Sequence, residues 1–121
     1  MAKDDYNVIK FKVLVYIYGV LKRRYNFDDD EFNQLLERNN IENEYFLDVI
    51  ELMLEEGLIK NVSIQRAMGG DGFIMPCLSY IKITYKGINH LEENSLMNKI
   101  KEKALSGFNT LLSQIITKVL I

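Results

Sequence analysis

Apolar residues fall at helical spacing in most of this chain and switch to strand-like clusters once, between residues 58 and 85. In residues 8–24, VIKFKVLVYIYGVLKRR, one helical face carries Ile9, Val13, Ile17 and Val20, and the opposite face carries Phe11, Leu14, Val15 and Tyr18. A helix apolar nearly all round is buried on two sides. Gly19 either weakens it, by ~1 kcal/mol relative to alanine, or permits a close helix crossing. Lys22, Arg23 and Arg24 fall in its last turn, where the helix dipole favours cations. FDDDEFNQLLER opens a second, short helix: Asp28 is the N-cap, Glu31 completes a capping box, and Phe32, Leu35 and Leu36 form the buried stripe. A third helix covers 43–56, with Phe46, Val49, Ile50, Met53 and Leu54 at i, i+3, i+4, i+7 and i+8. Gly57 is its left-handed cap, and Leu58 packs back on the last turn.

LIKNVSIQRA and LSYIKITY then read as two strands joined through the glycine-rich MGGDGF as a hairpin. Pro76 belongs off the ladder, near the start of the second strand or just before it. Thr84 caps a fourth helix, YKGINHLEEN, which Asn94 ends. A last helix runs from Ser95 to Ile121. Leu105, Phe108, Leu112, Ile115 and Val119 alternate by three and four, a heptad seam flanked by Leu111, Ile116 and Leu120. The order helix, helix, helix, strand, strand, helix, helix is that of a winged helix: an α+β fold, mostly α, with a C-terminal amphipathic helix. Residues 5–94 make the winged-helix domain. Residues 95–121 make a self-association element that packs on the first helix, from its own chain or a second one.

Charge changes this picture more than composition does. A chain of 121 residues, 48 % hydrophobic and 26 % charged with one proline, is one ordinary globular domain. Its single cysteine, Cys77, excludes an internal disulfide and a cysteine-based zinc site, and fits a cytoplasmic setting. The start, MAKDDYN, has no signal-peptide pattern, and no stretch reaches the ~18 apolar residues of a membrane span. The net charge of −2 hides a division: residues 27–56 hold eleven acids and one base, Arg38, whereas the rest holds six acids and fourteen bases. Such a chain has an acidic side and a basic side, and head-to-tail self-association is one plain consequence.

The acidic side includes the helix a winged-helix reader would insert into the major groove. Glu44, Asp48, Glu51 and Glu55 cluster opposite its apolar stripe, at 100° per residue. A carboxylate ~5 Å from a phosphate is repelled by roughly 0.8 kcal/mol at the dielectric of water, so four cost about 3 kcal/mol. Non-specific duplex binding yields only ~5–8 kcal/mol at physiological salt. The repulsion removes about half the gain, so this helix is not a groove reader. It either meets a basic protein surface or is simply solvated. Duplex contact, if any, falls to Lys60, Arg66, Lys82 and Lys86 on or beside the strands, with the basic end of the first helix; scattered solubilising lysines are the plain alternative.

Other constellations carry little chemistry. The acidic run DDDE lacks the glycine turn and terminal glutamate of a calcium loop, and suits a first helical turn. His90 is the only histidine and has no second imidazole for a metal; it is packed or faces solvent. Cys77 has no base beside it, GGDG lacks the Lys-Ser/Thr of a phosphate loop, and no nucleophile has a histidine–carboxylate pairing. No catalytic residue, metal site, cofactor or small-molecule substrate is expected, and no membrane contact. The uncharged polar side of the last helix suits a helix bundle or dimer rather than a lipid surface.

FLDVIELMLEEGLIKNV and IKITYKGINHLEENSLMNKIKE together resemble the YjcQ family, small winged-helix proteins of Gram-positive bacteria, their phages and prophages. The layout matches over most of residues 5–103. Its most specific piece is 83–99, where the family carries a similar threonine–x–lysine–glycine turn and then a leucine–glutamate–glutamate–asparagine–serine run. The resemblance implies the fold and a phage or prophage setting; it brings no activity and no catalytic residues. The combined reading is a non-enzymatic regulatory or protein-interaction module that forms homo-oligomers, a dimer first of all, through its last helix. The alternative is a regulator that binds double-stranded DNA through its wing.

Overall fold

The structure, a computed structural model, describes residues 5–66, 73–74 and 78–121, with the backbone alone at 65, 66, 73, 74 and 108. Its centre is the first helix, α1 (Tyr6–Leu21), in which every residue from Val8 to Ile17 is buried. Two lysines are buried with the apolar residues. Lys12 has no exposed surface and lies 3.7 Å from the Glu37 carboxylate, and the Lys10 ammonium stands 4.6 Å over the Tyr6 ring. α1 ends earlier than its sequence pattern suggests. The Arg24 amide bonds the Gly19 carbonyl at 3.0 Å and the Arg23 amide bonds Val20 at 3.1 Å, with Arg23 at φ 61°. This is a Schellman stop built without glycine. Lys22 therefore leaves the helix and donates to the Val119 carbonyl at 2.7 Å, at the far end of the chain. Gly19 serves neither a helix crossing nor mere weakness: a Cβ there would strike the Tyr25 phenol, which donates to the Tyr16 carbonyl at 2.8 Å.

α2 (Asp29–Leu36) is capped by Asp28, whose carboxylate accepts from the Glu31 amide at 3.0 Å. The reciprocal half of the capping box falls to a residue far away in sequence: the Tyr16 hydroxyl accepts from the Asp28 amide at 3.1 Å. Tyr16 also packs its ring against Tyr25, Phe27 and Phe32. A short 3-10 turn (Arg38–Asn40) leads to α3 (Asn43–Glu55). Phe46, Val49, Ile50 and Met53 are buried as the spacing requires; Leu47 joins them, while Leu54 is half-buried. Gly57, at φ +76°, closes α3: its amide bonds Leu54 and the Leu58 amide bonds Met53, both at 3.0 Å.

The strands are shorter than the β-rich runs suggest. β1 (Ile59–Lys60) pairs antiparallel with β4 (Lys82–Ile83), and β2 (Gln65–Arg66) with β3 (Phe73–Ile74). Asn61, left-handed at φ 67°, turns the chain away straight after Lys60 and separates the two ladders. The glycine turn 68–72 and the placements of Pro76 and Cys77 lie outside the described residues. Thr84 caps α4 (Tyr85–Glu93) by accepting from the Gly87 amide at 3.0 Å, and its hydroxyl donates to the Gly57 carbonyl. At Gly87 a Cβ would collide with the Leu58 carbonyl. The Thr-x-Lys-Gly turn thus clamps the end of α3 to the start of α4.

Asn94 ends α4 and caps α5 (Ser95–Lys103) through the Leu96 and Met97 amides. The expectation of one helix over 95–121 is corrected here. A π turn (Ala104–Phe108) with Gly107 at φ 105° breaks it, and Asn109 caps a separate α6 (Thr110–Leu120). The Ser113 hydroxyl donates to the Ala104 carbonyl, which ties α6 back to the break. α6 lies on α1, as do α2, α3, α4, α5 and β4. Met97, Ile100, Leu112, Ile115, Ile116 and Val119 belong to the same core cluster as α1 and α3. The architecture is α+β, mostly α, and of winged-helix type. Among the described residues no helix is long and apolar enough to cross a membrane.

Candidate interaction surfaces

On α3, Glu44, Asp48 and Glu55 are exposed and Glu51 is half-buried, on the side away from Phe46, Val49, Ile50 and Met53. The packing follows from spacing alone, because the apolar stripe must meet α1. Sequence reasoning missed Leu52, which is 45 % exposed one turn after Asp48 and places an apolar side chain at the edge of the acidic face. Arg38, the one base of this region, is held by its own neighbours. Its guanidinium donates to the Ile41 carbonyl at 3.1 Å and to Asn43 at 2.8 Å, and lies 4.1 Å over the Phe46 ring. The open polar depression around Asn33, Arg38 and Asn39 therefore presents a braced arginine rather than one aimed at a ligand.

The basic candidates are partly gathered. Lys60 and Lys82 are directly opposite one another on the β1–β4 ladder, and both are exposed. Like charges facing across strands repel, so this pair is held in place by the register of Ile59 and Ile83 rather than by its own attraction. Lys86 is also exposed, on the first turn of α4, with its stem against Gly57. Arg66 lies on β2 in the outer ladder, where only the backbone is described. Arg23, expected in the last turn of the first helix, instead lies beyond its end and joins Lys82 along a shallow groove of about 250 Å³ between the end of α1 and β4.

The self-association seam is not a free surface. Leu112, Ile115 and Val119 are buried within the chain, Leu105 stays 40 % exposed on the other side of the Gly107 break, and Phe108 is described by its backbone alone. The periodicity was real, but α6 folds back on α1 and satisfies it internally.

A cluster of titratable groups closes the junction of α1, α3 and α4. The Tyr6 hydroxyl donates to the Glu56 carboxylate, and burial with that carboxylate pushes the phenol well above its ordinary range. Burial lowers Lys10, with Glu56 opposing. His90 Nε2 is buried with no hydrogen-bond partner among the described residues; burial first, then Lys10, holds the imidazole below its usual value, against the pull of Glu56. His90 is thus packed. Among the described residues no group of three or more His, Cys, Asp or Glu side chains is placed to hold a metal.

In comparison with known proteins, the family model described as YjcQ protein matches residues 11–105 of the chain. No curated protein and no solved structure matches the chain.

Proposed function

The chain belongs to the YjcQ family, and within it we propose a non-enzymatic regulatory or protein-interaction module, of the phage or prophage type that the resemblance implies, whose acidic α3 face meets a basic protein surface. The observation that carries this reading is the exposure of Glu44, Asp48 and Glu55 on the helix that a winged-helix reader would insert. Carboxylates there oppose phosphate and favour a cationic partner. The experiment is a mobility-shift titration against mixed-sequence duplex at low and moderate salt. The wild type is expected to leave duplex unretarded at moderate salt. Replacing Glu44, Asp48, Glu51 and Glu55 by their amides is expected to create or strengthen salt-sensitive binding. Retardation of the wild type that the amides weaken overturns the reading.

One observation favours a second reading, a DNA-binding regulator that uses its wing. Lys60 and Lys82 face one another despite their repulsion, which a phosphate between them would relieve. That reading requires duplex binding by the wild type, lost when Lys60, Arg66, Lys82 and Lys86 are neutralised.

A further inference from the structure

We infer that the groove between the end of α1 and β4 receives α3 of a second copy of this chain. The inference deepens the reading above, and rests on it, by naming the basic surface that the acidic helix meets. The groove floor is apolar: Val20 and Leu21 on one side, Ile81 and Ile83 on the other. Leu21 is 51 % exposed and Tyr80, which lines the same groove, 74 % exposed. The apolar side chains of α1 from Val8 to Ile17 are covered by this chain's own elements, so exposed Leu21 marks where the packing of α1 stops. An aliphatic and a tyrosine standing together at a concave site are the kind of anchors that interfaces bury.

The rim selects the occupant by charge. Arg23 and Lys82 line the groove, and Lys60 faces Lys82 across the ladder. Two cations on an apolar slot, with a third across the ladder from one of them, call for carboxylates around an apolar knob. α3 offers that arrangement on its solvent side, with Leu52 exposed beside Asp48, and Glu44 and Glu55 exposed at either end. The outer side of α6 is a poor match, since Gln114 and Thr117 are neutral and Lys118 is cationic. Residues 27–56 and the remainder of the chain carry opposite net charge, so two copies attract best when the α3 side of one approaches the groove side of the next. The two surfaces are different, and each copy carries both. The contact is therefore heterologous, and joins copies head to tail.

The test is the molar mass of the full chain by light scattering across a concentration series at low and high salt. The wild type is expected to grow in mass with concentration, and to lose this growth as salt screens the rim. Two charge-reversed variants separate the surfaces: Arg23→Glu with Lys82→Glu on the groove, and Glu44→Lys with Asp48→Lys and Glu55→Lys on α3. Each alone is expected to associate at least about ten-fold more weakly than the wild type. Their equimolar mixture is expected to associate again, because the reversed groove then meets the reversed helix. Circular dichroism checks the fold of each. If a reversal unfolds the chain, Leu52→Ser and Tyr80→Ser, both at exposed positions, make the same comparison by weakening association. A wild type that stays monomeric throughout, a one-sided effect, or a mixture that stays apart overturns the assignment. A monomer that also ignores duplex overturns the groove assignment alone, whereas a wild type that binds duplex through the wing overturns the reading it rests on.

Discussion

α3 and α6 are both amphipathic helices of similar length, and they put their apolar sides to the same use: each packs on α1. They differ on the outside. α3 turns carboxylates and Leu52 to solvent, whereas α6 turns Gln114, Thr117 and Lys118 outward and buries Leu112, Ile115, Ile116 and Val119. Periodicity says which side of a helix is covered; it does not say by which molecule. For α6 the covering molecule is its own chain, because Gly107 lets the backbone reverse and Asn109 restarts the helix. A heptad seam that looks like a dimer interface becomes core once the helix that carries it is cut in two.

The largest effect therefore belongs to a charge placed on α6. Ile115 is 2 % exposed, and Ile115→Glu buries an unpaired carboxylate, at a cost of about 4 kcal/mol or more. The expected outcome is loss of the folded monomer, read as a collapsed melting transition in circular dichroism. An unchanged melting temperature with a halved molar mass would show the opposite arrangement, α6 facing a second chain. Leu52→Glu is the control on α3: at a position 45 % exposed it should move stability by no more than about 0.5 kcal/mol.

Two glycines sharpen the same contrast at smaller scale. Gly87 is sterically required, since an added Cβ meets the Leu58 carbonyl and comes 2.8 Å from the Ile83 side chain. Gly87→Ala should cost about 2–3 kcal/mol by prising α4 from the end of α3. Gly107 is required only by its backbone: φ is +105° and nothing lies within 4 Å of an added Cβ. Gly107→Ala should cost about 1–2 kcal/mol, all of it conformational. Denaturant titration of both variants orders them. A more damaging Gly107→Ala would mean that the reversal before α6, rather than the α3–α4 clamp, limits the fold.

Much of this was legible because it is local. Asp28, Thr84 and Asn94 each accept from amides two or three residues away, and the Gly57 amide donates to a carbonyl three residues back, so a cap, a Schellman stop and two helix boundaries can be read from spacing alone. The acidic outer face of α3 was legible for the same reason. What failed was long-range or ambiguous. Gly107 looks like any glycine tolerated inside a helical pattern, and the cap signal of Asn109 is masked by the apolar spacing that continues from Leu105 and Phe108 to Leu112. The Tyr16 hydroxyl reaches Asp28 across twelve positions. Lys60 and Lys82 meet only through strand register, and Arg23 joins Lys82 only because α1 stops at Leu21. The burial of Lys12 beside Glu37 contradicts every composition rule until the ion partner is in place.

The subtlest test concerns two neighbouring carboxylates at the end of α3. Glu55 is exposed with the outer face, whereas Glu56 turns inward, accepts from Tyr6, and lies near Lys10 and His90. His90 is held below its ordinary value of 6.5, by burial first, then by Lys10, with Glu56 pulling the other way. The unfolded chain therefore takes up this proton at higher pH than the folded chain does. Linkage then fixes the sign: the folded state is favoured above about pH 6.5, and loses stability as the pH falls from there towards the lower folded value. His90→Gln removes that component. Urea titrations at about pH 7.5 and about pH 5.5 should show the wild type losing more stability than the variant between the two conditions. If both fall in parallel, the imidazole is not part of the cluster. If the wild type falls less, Glu56 rather than Lys10 and burial governs His90, and the inward carboxylate at the end of α3 stabilises a charged imidazole.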